Sequence, residues 1–63
     1  MTEDKLINYI IESIGKLELI NNTSQEIKSM VIRAKLEIWK HNKNYNQLYR
    51  CSQRLKVVLN EIN

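Results

Sequence analysis

The chain has no proline and one glycine, Gly15. Tight hairpin turns lean on residues that accept a positive φ or preset a negative one, glycine and proline above all. A sheet built from many short strands has almost nothing here to turn on, so an all-β fold is not expected. The abundance of Ile, Leu, Lys, Glu and Gln suits helices instead, with asparagine clusters left to supply the breaks.

Hydrophobic periodicity divides the chain into three such helices. Ile7, Ile10, Ile14 and Leu17 recur with 3,4 spacing, and Leu6, Ile11 and Ile20 widen that face. This predicts a first helix over about residues 4–20. The stretch NNTSQE (residues 21–26) ends it and opens a second, with Thr23 and Glu26 spaced as a capping box. The second helix is predicted over about 24–40. HNKNYNQ (residues 41–47) is the next break, with Asn44 as N-cap and Gln47 at the matching third position. A third helix follows over about 45–62, its core stripe formed by Leu48, Cys51, Leu55, Val58 and Ile62, with Leu59 alongside. Three helices and short loops define an all-α, small three-helix bundle in a single domain, residues 1–63. The alternative joins the second and third helices through 42–46 into a long helical hairpin that dimerises.

Sixty-three residues leave little room for error, because burial and chain entropy nearly cancel at this length. Small domains compensate with disulfides, metals, regular helix packing or self-association. The lone Cys51 cannot form an internal disulfide, and no ligand set for a structural zinc is present. Neither a metal nor any other cofactor is expected. A single cysteine and a charged N-terminus (Glu3, Asp4, Lys5) without a secretory apolar segment point to a reducing, cytoplasmic setting. No apolar run approaches the roughly 20 residues that span a bilayer, so no membrane is expected as a partner.

Charge is unevenly spread. Residues 1–27 carry two basic and five acidic side chains, whereas residues 28–56 carry eight basic ones against Glu37 alone. The whole chain has a net charge of +3.

The segment SMVIRAKLEIWKH (residues 29–41) shows the feature most relevant to function. On a wheel of about 100° per residue, Ile27, Val31, Ala34 and Ile38 fall within about 60°, with Met30 on their flank. Ile32, Leu36 and Trp39 form a second cluster about 150° away from Ile27, and Lys28, Lys35, Arg33 and Glu37 separate the two. One stripe is enough to pack on both neighbours in a closed bundle. The second would gain about 5–7 kcal/mol if buried, at about 1.5–3 kcal/mol per large side chain. Either helix two is the middle layer of an open arrangement, or Ile32, Leu36 and Trp39 bind another protein or a second copy of the chain. Tryptophan flanked by Lys35 and Lys40 has the composition of an interface centre with a polar rim.

Catalytic candidates are few. His41 has only Lys40, Asn42 and Lys43 as sequence neighbours, which suits a helix C-terminus better than a general base. Cys51 is expected in the core as a small hydrophobe, with Arg50 and Arg54 projecting from the opposite face. Glu12 and Glu18 do not form a facing carboxylate pair, and no glycine-rich loop exists to hold a phosphate. No enzyme is expected. The basic residues Lys40, Lys43, Arg50, Arg54 and Lys56, interleaved with Trp39, Tyr45 and Tyr49, offer a second reading as a track for a nucleic-acid backbone.

RAKL (residues 33–36), a polar break and SQRLKVVLNEI (residues 52–62) also resemble the helical-hairpin phosphatases that act on the response regulator of the sporulation phosphorelay. Their Ser-Gln-x-Leu-Asp signature is matched by Ser52, Gln53 and Leu55, while Lys56 stands where the signature has aspartate. The resemblance implies a helical protein that binds such a regulator, with the charge reversal at Lys56 removing the residue most tied to activity. The leading expectation is a small non-enzymatic regulator or inhibitor that binds a partner protein and self-associates.

Overall fold

The computed structural model of the chain describes residues 2–20, 24–40 and 42–62, with the backbone only at Ile62. It contains three helices, α1 (Glu3–Glu18), α2 (Gln25–Trp39) and α3 (Tyr45–Ile62), packed as a small three-helix bundle with no strand among the described residues. The long-hairpin alternative is overturned. Lys40 leaves α2 in an extended conformation, with φ −61° and ψ 140°, and Asn44 begins α3 afresh. The Asn44 side-chain oxygen accepts from Asn46 N–H at 2.9 Å, a donor that in a continuous helix would bond a carbonyl four residues back, and the Leu48 N–H to Asn44 carbonyl bond at 3.0 Å is the first helical bond of α3.

Each helix start is held by a short polar side chain. Thr2 caps α1, its hydroxyl accepting from Lys5 N–H at 3.3 Å, and Glu3 and Asp4 follow where the helix dipole favours negative charge. Lys16 in the last turn complements the other end. At α2 the cap is Ser24, which accepts from Ile27 N–H at 3.3 Å. That corrects the capping box expected from Thr23 and Glu26: with Ser24 as cap, the third helical position is Ile27, and Glu26 lies one residue too early to close a box. Thr23 itself, like His41, lies outside the described residues.

The core is formed by Leu6, Ile10, Ile14 and Leu17 of α1, Val31 and Ala34 of α2, and Leu48 and Leu55 of α3. α1 meets α3 most extensively and α2 less so, and the α2–α3 seam is the thinnest of the three. Two serines depart from the expected stripes. Ser13 and Ser52 are buried at 2% and 3% exposure, while Ile7 is only half-buried and Ile11 is 51% exposed. The reason is angular. Ser13 lies about 20° from Leu6, at the border of the face that Leu6, Leu17 and Ile10 define, and Ser52 lies about 40° from Leu48, on the side away from Cys51. Neither hydroxyl is stranded. Ser13 donates to the Tyr9 carbonyl at 2.8 Å and Ser52 to the Tyr49 carbonyl at 2.7 Å. With Ser52 buried on one side of Leu48 and Leu55, Cys51 lies on the other side at the edge of the core, where it is half-buried.

Two ion pairs lie on the surface among the described residues. Lys35 of α2 reaches Glu18 of α1 at 2.9 Å, and Lys40, just past the end of α2, reaches Glu37 at 2.8 Å. Exposed pairs of this kind contribute little, up to about 1 kcal/mol. No helix among the described residues is long and apolar enough to cross a membrane.

Two substitutions test this packing. A Cβ placed on Gly15 would meet no atom within 4 Å, so Gly15→Ala removes a helix-weakening residue without a clash. It is expected to raise the unfolding free energy by about 0.5–1 kcal/mol, read by denaturant titration. Ser24→Ala is expected to lower it by about 1 kcal/mol through loss of the cap. Equal stability of the Ser24→Ala variant and the wild type would contradict the observed start of α2.

Candidate functional site

The second stripe of α2 lies on the outside of the bundle. Ile32, Leu36 and Trp39 are 59%, 55% and 74% exposed, whereas every other apolar residue of that helix (Ile27, Met30, Val31, Ala34 and Ile38) is buried or half-buried. The middle-layer arrangement is thereby ruled out: α1 and α3 both use the stripe centred on Val31 and Ala34, as close neighbours in a three-helix bundle must. On one flank of the exposed stripe, the Lys35–Glu18 pair marks the approach of α1. On the other flank, Leu36 forms part of the wall of a groove between α2 and α3.

This groove was not anticipated from the sequence. It encloses about 310 Å³ and has Leu36, Met30, Cys51 and the buried Leu55 as its apolar lining, with Arg33 and Glu37 contributed by α2, Lys40 by its C-cap, and Arg50 and Arg54 by α3. A second, more open hollow continues it past Met30, Arg33 and Arg54 toward Val57 and Val58. No α1 residue lines either part. The thin α2–α3 seam explains why this side is open: α1 fills the opposite side of the helix pair, and nothing among the described residues fills this one.

The expected separation of Cys51 from Arg50 and Arg54 is corrected by the same geometry. Positions 51 and 54 are only about 60° apart around a helix, so once Ser52 takes the core position, Cys51 and Arg54 both border the groove. Burial pushes the Cys51 thiol above its ordinary pKa, and the Glu37 carboxylate adds to that; the Arg54 guanidinium pulls the other way. The outcome is a protonated thiol near neutral pH, the opposite of an activated nucleophile.

The basic candidates do not form a single track. Lys40, Arg50 and Arg54 border the groove, Lys43 is exposed in the α2–α3 connection, and Lys56 is exposed on α3 about 160° away from Arg54. Tyr45 and Tyr49 stack on each other, with ring centroids 6.5 Å apart and planes inclined by 18°. Their positions place them on the Lys56 side of α3 and not beside the arginines. Glu12 and Glu18 are exposed, and Glu18 is engaged by Lys35. No group of three His, Cys, Asp or Glu among the described residues could hold a metal ion.

Of the residues shared with the phosphatase signature, Ser52 and Leu55 are core residues, Gln53 is exposed beside the open hollow, and Lys56 is exposed. The Ser52 hydroxyl is directed to its own helix backbone. What fold and surface define is therefore a three-helix bundle with one exposed apolar helix face that adjoins an open, arginine-bordered groove. Comparison with protein-family models, curated proteins and solved structures finds no match to the chain.

The displaced thiol titration has a kinetic consequence. Alkylation of native Cys51 at neutral pH is expected to be slower than that of an unfolded control, with the rate profile shifted to higher pH. The folded state holds this proton more tightly, so the associated stability is present below the unfolded thiol's pKa and is lost as pH rises through the folded one. A native profile lying below that of the unfolded chain would contradict the described environment.

Proposed function

We propose that the chain is a non-enzymatic protein-binding module, a small regulator or inhibitor that engages its partner through the outer face of α2. The observation behind this reading is the pattern of exposure on that helix. Five of its apolar residues are buried or half-buried and three, including the sole tryptophan, stand out on one side. Large apolar residues gathered on one face of so small a domain mark interaction sites, and tryptophan is the residue type most enriched at energetic centres of interfaces. A second copy of the chain is one candidate partner, since the α2 face could pair with itself around a two-fold axis. A reducing, cytoplasmic setting fits the single free cysteine.

The nucleic-acid reading has one observation in its favour, the gathering of Lys40, Arg50 and Arg54 on the groove. The scatter of Lys43 and Lys56 and the apolar groove surface count against a phosphate track. Salt separates the two readings: phosphate contacts release counterions and weaken by orders of magnitude between about 50 and 200 mM salt, whereas an apolar interface is nearly indifferent.

The deciding substitution is Leu36→Lys. Because Leu36 is more than half exposed, the variant is expected to unfold within about 0.5 kcal/mol of wild type. It is expected to lose self-association in sedimentation equilibrium, or capture of the partner from the native host, because an ammonium at the interface centre must be desolvated without a counter-charge. A folded variant that associates as wild type does would overturn the proposal.

A further inference from the structure

The groove beside the α2 face has a definite chemical character. Its lining holds Leu36, Met30, Cys51 and the buried Leu55, and arginines stand on both sides of it, Arg33 on α2 and Arg50 and Arg54 on α3. None of the three arginines forms an ion pair among the described residues, whereas Lys40 is engaged by Glu37. The lining also holds two carboxylates, Glu37, paired with Lys40, and Glu26 at the more open hollow. The three arginines outnumber them, and apolar surface so bordered suits an elongated ligand with an apolar face and acidic edges. The shape required is already illustrated by α1, which packs on the other side of the same helix pair by presenting Leu6, Ile10, Ile14 and Leu17.

Building on the reading that α2 binds protein, we propose that the partner segment is an acidic amphipathic helix that lies along the α2–α3 groove as a fourth helix. Its apolar stripe covers Met30, Leu36 and Cys51, and its flanking carboxylates meet Arg33, Arg50 and Arg54, whose planar guanidinium groups donate paired hydrogen bonds to them. A second copy of this chain does not fit the groove. Two grooves facing each other across a two-fold axis would set arginine against arginine. The acidic residues Glu3, Asp4 and Glu12 lie on α1, which lines no part of the groove, so docking one copy's α1 into another's groove would generate an open filament instead of a closed dimer.

The test uses the full chain and synthetic peptides of about 18 residues, roughly five helical turns. One carries leucines at helical 3,4 spacing flanked by glutamates, another carries the same leucines flanked by lysines, and a third keeps the glutamates but scrambles the leucine spacing. The glutamate-flanked peptide alone is expected to bind, to shift backbone amide resonances of Met30, Arg33, Cys51 and Arg54, and to slow Cys51 alkylation several-fold. In the double variant Arg33→Glu, Arg54→Glu its affinity is expected to fall by about tenfold or more, and the lysine-flanked peptide is expected to become the better ligand. The comparison of peptides on the wild-type chain stands by itself should that variant not fold. No saturable shift at millimolar peptide, or equal binding of the glutamate and lysine peptides, overturns the proposal. Shifts confined to Ile32 and Trp39 also overturn it, while leaving the α2 face intact as a binding surface. Failure of that broader reading is seen separately, in an unaltered association of the Leu36→Lys chain.

Discussion

The bundle depends on the insertion of one apolar ridge, that of α1, along the pair formed by α2 and α3. Leu6, Ile10 and Leu17 are at most 1% exposed, and they meet Leu48 and Leu55 from α3 and Ala34 from α2, each equally buried. Burying large aliphatic side chains contributes about 1.5–3 kcal/mol apiece, and no disulfide supplements them. The polar caps and the two exposed ion pairs are small corrections to that term. Since α2 and α3 touch each other least, the relative placement of these two helices is set mainly through their common contact with α1. The open groove on the other side is a by-product of that arrangement: two helices held from one side splay on the other.

This arrangement also explains the asymmetry between the two faces of α2. A helix in a closed three-helix bundle presents one sector to both neighbours, and Val31 and Ala34 occupy its centre. Ile32, Leu36 and Trp39 lie too far around the helix to be reached by either neighbour. Their exposure therefore follows from geometry that no side-chain rearrangement within the bundle can undo. Leu36 belongs to both surfaces, the α2 face and the groove, and so joins them into one continuous apolar strip.

Much of this was readable from residue spacing. The 3,4 recurrence of Ile and Leu defines three helices, the asparagine-rich segments separate them, and the surplus stripe on α2 declares itself through its angular distance from Ile27. Three features were not readable, for physical reasons. Serine is not counted as a core residue, yet Ser13 and Ser52 occupy buried positions beside the core leucines because a short hydroxyl can satisfy itself on its own helix backbone and leave space for neighbours. That substitution of roles rotates the true core stripe of α3 and brings Cys51 beside Arg54. Thr23 and Ser24 are adjacent candidate caps, and only the backbone conformation chooses between them. The groove, finally, is a relation between two helices and has no signature in either one alone.

The dominance of the α1–α3 contact has a consequence for how the chain comes to be folded during synthesis. The ridge of α1 is synthesised well before the surface it packs on most extensively, which comes from α3 on the far side of α2 in the chain. At about 5–20 residues per second, α1 therefore spends several seconds without its main partner. During that interval the nascent segment offers Leu6, Ile10, Ile14 and Leu17 to whatever apolar surface is nearby, chaperone or another chain. Because α1 closes on α3 across the length of α2, the bundle cannot be completed before α3 is made, and the α1 ridge is the part most exposed to competition beforehand.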